Sequence, residues 1–518
     1  MVTKTRLAAA AFSSAFLLAA CQPNTVVLPP EVKAVKLATP LTESTQTAMA
    51  SAIDTAIEAE MRDNFIPGVA VVIVKDGKTI YKQGYGVANV ETGELVDPDQ
   101  TIFRIGSISK AVSLLALTRL VDEGKVKRSD DVTRFFPEIE NAAGFADPVT
   151  INHLLTHTTG FDQPGLGRQL GGFEYSIEER QAARPSLSEF LADRNLRRAN
   201  KAGAFFRYDT YSPTLAGVIL EQMTGKPYDQ AMDELVFDPL GMSRTSVEVE
   251  PEHVPSLAKG HGYVDGKYQT TPYEIYLTPP ASSIDATVAD MGRFLEALTS
   301  GGANQHGRLF SPEMTDTILS AHYRPHPEFS GMSHGLWEAF GVGVGEDAIP
   351  VRTLGHGGDM WGYNAHLEII PEFNVAIFAA ANRNAEGGGP RVKIGRTVML
   401  ALLEVLAPSR KAKPLDVPIA DPEQDLSAYT GDYFWGVYCH TCTEDEFERG
   451  AWRKPGPETV TAKAGKLRIG DDTYRPAGGD IFVREDGFRR VFFKRDAAGN
   501  ITTYSFEDDP TVFEKGEL

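Results

Sequence analysis

Ser107 and Lys110 stand three residues apart in Phe103-Arg104-Ile105-Gly106-Ser107-Ile108-Ser109-Lys110, where a strand-like run turns into a helix. Residues three apart on a helix share a face. The amine can therefore reach the hydroxyl and take its proton, which a serine nucleophile needs at neutral pH. A helix start adds free backbone N–H groups and a positive dipole end, and both favour an anion beside Ser107.

The spacing alone decides little, because Ser256-Leu257-Ala258-Lys259 repeats it. That copy follows Pro251 and Pro255 and precedes Gly260 and Gly262, so it reads as a loop. The first copy leads into Ala111 to Val121, apolar at helical spacing, with Gly124 as a stop. Gly331-Met332-Ser333-His334-Gly335 matches the nucleophile elbow Gly-x-Ser-x-Gly, but it lacks the strand before and the helix after that the elbow requires. His153 and His157 are four apart, like zinc-protease ligands, yet Leu154 stands where the Glu base belongs. Those two histidines are read as packing a turn. No metal and no cofactor are expected.

The elements that must position Ser107 follow from periodicity. Met49, Ile53, Ile57 and Met61 recur every four residues and predict an amphipathic helix. Val69 to Val74 and Thr79 to Lys82 flank Lys75-Asp76-Gly77-Lys78, a hairpin signal. A long, mostly helical middle includes Ser212 to Thr224, ended by Gly225. Strand signals return at 351–354, 366–370 and 375–381, and a helix from Val392 to Leu406 closes the unit. Early and late strands would share one antiparallel sheet with helices collected between them, an α/β layered pattern. Residues 409–424, with Pro414, Pro418 and Pro422, read as a linker after a main domain of residues 45–408. Residues 425–518 change character: four short β-type runs punctuated by Gly470-Asp471, Asp486-Gly487 and Gly499-Asn500 predict a small antiparallel sheet or barrel. No internal repeat and no low-complexity tract is visible.

The first twenty residues read as an export signal, with Lys4 and Arg6 before an apolar run from Leu7 to Ala20 that is short for a membrane span. The run ends in Leu18-Ala19-Ala20-Cys21, which resembles the lipobox of bacterial lipoproteins. That resemblance implies cleavage before Cys21, a diacylglycerol on its sulfur, and a membrane anchor. Gln22 rather than Asp after Cys21 points to the periplasmic face of the outer membrane. Residues 21–44 would be a tether. Removing residues 1–20 moves the formal charge from −19 to −21, which leaves no electrostatic case for nucleic acid. Cys439 and Cys442, in Cys439-His440-Thr441-Cys442, read first as a disulfide in an exported chain, with metal binding as the alternative.

Taken together, several ordered segments resemble the serine β-lactamase and penicillin-binding family. The branch is the one with class C β-lactamases, D-alanyl-D-alanine carboxypeptidases and related esterases. These segments are Phe103 to Lys110, Leu154 to Gly160, Pro239-Leu240-Gly241-Met242, Ser283 to Leu298 with Thr287 and Asp290, and Gly355-His356-Gly357-Gly358. The resemblance implies a β-lactamase/transpeptidase-like fold over residues 50–405 and a third catalytic group. Family spacing puts that group at Tyr208, with Tyr211 as the competing position. A lysine beside Tyr208 would lower the phenol's pKa and let it shuttle a proton.

Two departures bear on the substrate. Thr210 stands where the family has an Asn for the acyl side of the substrate. His356 and Gly357 replace the Lys and Thr that hold a substrate carboxylate, and a neutral imidazole binds a carboxylate poorly. The oxyanion hole would come from the backbone N–H groups of Ser107 and of Asp359, which follows Gly358. The expected activity is hydrolysis of an ester or amide through an acyl-enzyme. The first alternative is action on β-lactams or peptidoglycan-derived D-amino-acid peptides, as a carboxypeptidase or D-aminopeptidase. The alternative of another class is a penicillin-fold binding protein without turnover.

Overall fold

The computed structural model describes residues 42–138, 145, 147–162, 179, 182–193, 196–342, 348–385, 392–408, 410–415, 424–440, 442–444 and 453–516. The expected signal, Cys21 and nearly all of the expected tether lie outside them, as do nine of the sixteen residues read as a linker. No described helix is long and apolar enough to cross a membrane.

The chain opens with helix α1 (Glu43–Asp63), which buries Met49, Ile53 and Ile57. The hairpin follows as β1 (Gly68–Lys75) and β2 (Lys78–Asn89). After β3 (Glu94–Leu95) comes β4 (Ile102–Arg104), which runs directly into α2 (Ile108–Asp122). Helix α3 (Tyr211–Thr224) stops at Gly225, whose φ of 71° forms a left-handed cap. The late strands are β5 (Trp337–Val342), β6 (Ile349–Met360), β7 (Tyr363–Ile370) and β8 (Val375–Ala381), and α4 (Ile394–Leu406) follows.

One antiparallel sheet of seven strands joins early and late segments in the order β3-β2-β1-β8-β7-β6-β5. Strand β1 sits in its interior, so both of its faces are covered. Ala70, Val72 and Val74 enter the core shared with α2 and α3, while Val69, Val71 and Ile73 enter the core shared with α1 and α4. This explains a continuous apolar run rather than an alternating one. A separate three-stranded sheet sets Ile284–Thr287 between β4 and Ser246–Val247.

Eight strands close into a barrel: β9 (Gly431–Trp435), β10 (Glu458–Lys463), β11 (Lys466–Ile469), β12 (Asp472–Gly478), β13 (Ile481–Arg484), β14 (Arg490–Arg495), β15 (Ile501–Phe506) and β16 (Val512–Lys515). The four β-type runs read from sequence are β11, β13, β14 and β15. The other four strands come from segments with weaker patterns, and closure removes the free edges.

Candidate active site

Strand β4 delivers the nucleophile segment. Arg104 is buried, with Nε 3.4 Å from Asp285 Oδ1 and its guanidinium 3.8 Å from the Tyr273 ring centre. Tyr273 donates to Asp285 Oδ2 at 2.6 Å, so the buried charge is paired and anchored. Gly106 then turns the chain with φ 56°. A Cβ on Gly106 would sit 3.1 Å from the Asp359 backbone nitrogen, and one on Gly358 would meet the Ile105 carbonyl oxygen at 1.9 Å. These two glycines let β6 press its backbone against the turn before Ser107, with Asp359 N beside it.

Ser107 precedes the first residue of α2 and remains partly accessible, while Lys110 in the first turn is 1% exposed. Lys110 Nζ lies 3.1 Å from Ser107 Oγ and donates to the Ala281 carbonyl at 2.9 Å. Burial lowers the lysine from its ordinary 10.5 to about 7, against the opposing pull of Asp209. A large uncharged fraction is thus available at neutral pH.

Tyr208 arrives on the segment before α3, 4% exposed, with its ring centre 5.0 Å from Lys110 Nζ. Its hydroxyl is buried, and Ser107 is near enough to pull the phenol's pKa down. Burial outweighs that pull and leaves the pKa above the ordinary value. The expectation that a lysine cation would lower the phenol is therefore corrected. Desolvation acts on both groups, discharging the amine and holding the phenol protonated. Tyr211 begins α3 and packs in the main core, away from the Tyr208 cluster.

The ring of His157 lies 5.3 Å from Tyr208, and its Nδ1 pairs with Asp209 Oδ2 at 3.2 Å. Asp209 also accepts from Ser212 Oγ at 2.7 Å and from the Ser212 backbone, which ties Tyr208 to the start of α3. His157 does more than pack a turn, a role its sequence neighbourhood does not reveal, because its partner lies 52 residues away. His153 does serve a turn, capping the helix Ile151–Leu155 through Thr150.

His356 faces the same cluster, 5.9 Å from Tyr208 between ring centres. Its Nδ1 is 2.6 Å from the Gly357 carbonyl, which can only accept, so the proton sits on Nδ1 and Nε2 carries a bare lone pair. That Nε2 is buried without a hydrogen-bond partner among the described residues. Burial, and after it the Lys110 charge, lowers the imidazole to about 3, so His356 is neutral throughout the physiological range. Thr210 is the buried N-cap residue of α3, and its carbonyl accepts from Thr214 Oγ1 at 2.7 Å.

A sequence profile described as Beta-lactamase matches residues 53–397. The chain belongs to the β-lactamase family. Within it, the chain is 33% identical over 380 residues to "Esterase EstB" of Burkholderia gladioli, covering 66% of this chain and 93% of that one. It is 23% identical over 376 residues to a "Beta-lactamase" of Pseudomonas fluorescens, covering 68% and 98%. In fold it is similar to the octameric penicillin-binding protein homologue of Pyrococcus abyssi, with TM-score 0.56, 21% identity, and 90% and 100% of the two chains covered.

The remaining β-lactamase-family segments act as scaffold. Thr287 caps the helix Val288–Leu298 by accepting from Asp290 N at 3.1 Å. Asp290 in turn accepts from Arg244 N at 2.7 Å and Thr245 Oγ1 at 3.0 Å, just after Pro239-Leu240-Gly241-Met242. The competing motifs resolve elsewhere. Ser256 Oγ accepts from Arg244 Nη2 at 2.7 Å, and buried Ser333 donates to the Ile318 carbonyl. Cys439 and Cys442 are joined by a disulfide. Among the described residues no group of three or more metal-binding side chains occurs.

Proposed function

We propose that this β-lactamase-family protein is a serine hydrolase that cleaves carboxylic esters through an acyl-enzyme. Ser107 Oγ attacks the ester carbon while uncharged Lys110 takes the hydroxyl proton. The oxyanion forms against the backbone N–H groups of Ser107 and Asp359. Collapse expels the alkoxide, which takes the proton of Tyr208, and the Lys110 ammonium reprotonates the phenolate. Water then repeats the sequence on the acyl-enzyme and releases the acid. The observation that carries this reading is Lys110 Nζ, buried and lowered to about 7 at 3.1 Å from Ser107 Oγ, beside a buried, protonated phenol.

The choice of ester rests on His356. Its bare Nε2 presents a lone pair where a carboxylate would need a donor, which disfavours penicillins and D-Ala-D-Ala stems. The name of the Burkholderia relative agrees with an esterase. Nitrocefin, a short-chain p-nitrophenyl ester and a D-Ala-D-Ala peptide measured side by side test the reading. Ester turnover at least tenfold above the others is expected, and preferential nitrocefin or peptide cleavage would replace it. A fluorophosphonate that fails to label Ser107 would favour the binding protein without turnover. Residues 1–21 further support export and lipidation at Cys21, to be tested by metabolic labelling with a fatty acid and by a Cys21→Ala variant.

A further inference from the structure

The barrel interior is packed with buried aromatic and aliphatic side chains. Tyr433, Phe493 and Tyr504 fill it with ring centres 4.9–5.9 Å apart. Its outward contacts are more telling, because several converge on the short segment that carries Tyr208. Lys494 of β14 donates to the Ala204 carbonyl at 3.1 Å, and Thr511 forms a backbone bridge with Phe206. The Arg207 guanidinium, 2% exposed, points into the barrel side of this junction. There Nη2 pairs with Glu514 of β16 and donates to Asn200 Oδ1 at 2.5 Å, while Nη1 reaches His440 Nδ1 at 3.0 Å and the Tyr438 carbonyl at 3.3 Å. His440 is held by its own backbone N–H, which donates to Asp162 at 2.7 Å, and by the adjoining disulfide.

On the opposite side, the Arg207 backbone N–H donates to the His157 carbonyl at 2.8 Å. The peptide of Arg207 is thus clamped between the main domain and the barrel, one residue before Tyr208. A buried guanidinium left without its carboxylate is costly, so loss of Glu514 would make Arg207 move or draw in water. Either response shifts the neighbouring residue, and displacement of a reacting group by an ångström is enough to cost rate.

We propose that Glu514 and His440 are positioning residues for the reaction: by holding Arg207 they set the Tyr208 hydroxyl against Ser107, so that the barrel completes the proton-transfer geometry of the main domain. This rests on the serine-hydrolase reading above. Tyr208 matters most when the leaving group needs a proton. An alkoxide needs one; p-nitrophenolate leaves without it near neutral pH.

The full-length protein and its Glu514→Ala, Glu514→Gln and Arg207→Lys variants are assayed with an alkyl ester and a p-nitrophenyl ester of the same acid. In Glu514→Ala the alkyl-to-aryl ratio of kcat/KM, which reports acylation alone, is expected to fall at least tenfold. Glu514→Gln, which keeps an accepting oxygen, should recover part of that loss. Arg207→Lys, which loses the forked contact, should resemble Glu514→Ala. An unchanged ratio in Glu514→Gln and Arg207→Lys, whether total activity holds or falls, overturns the proposal and leaves a purely structural contact. Wild-type protein that neither labels at Ser107 nor turns over either ester overturns the hydrolase reading instead, and this proposal with it.

Discussion

Lys110 Nζ lies 5.0 Å from the centre of the Tyr208 ring, and burial drives the two groups toward their uncharged forms. In the proposed mechanism these two groups serve Ser107 as base and acid without an ion pair between them. Each of the following outcomes depends on that division of labour.

Lys110 must be uncharged to accept the Ser107 proton. With its value lowered to about 7, kcat/KM for an ester should rise about tenfold per pH unit below that point and level off above it. Stopped-assay profiles from pH 5 to 9 check this. A limb that stays flat across pH 7 would assign the base elsewhere.

Removing the lysine should trade activity for stability. Its folded value of about 7 lies below the ordinary 10.5, so the folded state sheds a proton that the unfolded chain keeps. The resulting penalty is complete below about pH 7 and fades as pH rises toward 10.5. Lys110→Met should abolish turnover yet raise the melting temperature by roughly a few degrees at pH 6, with a smaller gain at pH 9. Calorimetry at the two pH values gives the comparison.

Tyr208→Phe keeps the ring packing against His157 and Trp337 while deleting the proton. Alkyl-ester kcat/KM, which reports acylation, should drop by roughly 10²-fold or more, the usual worth of a general acid, with a smaller loss on p-nitrophenyl esters. Equal losses on both would argue for a packing role.

On the proposed reading, His356→Lys would restore a cation at the position where the family holds a substrate carboxylate. Hydrolysis of carboxylate-bearing substrates should gain about tenfold or more relative to neutral esters, the order of one charge-assisted hydrogen bond. Steady-state kinetics on paired substrates with and without the carboxylate measure the shift.

Much of this arrangement is legible in sequence where signals are local. Ser107 and Lys110 declare themselves through a strand-to-helix transition within eight residues, and β1 and β2 through a turn signal between apolar runs. The eight-strand closure of the barrel is less visible, because strands such as β10 and β16 carry little alternation. Long-range pairings leave no sequence trace at all. His157 meets Asp209 across 52 positions and Arg207 meets Glu514 across 307, so neither could be found by spacing. The charge state of Tyr208 failed for a related reason. A reference pKa and a neighbour are readable from residue types, whereas complete burial of both groups is a property of the folded core.

Intact-protein and peptide mass spectrometry of the enzyme, quenched with acid during turnover of a slow ester, tests the central claim most directly. One acyl group should be found on the peptide carrying Ser107, and it should vanish in Ser107→Ala together with ester hydrolysis. An acyl group on another residue, or hydrolysis that persists in Ser107→Ala, would contradict it.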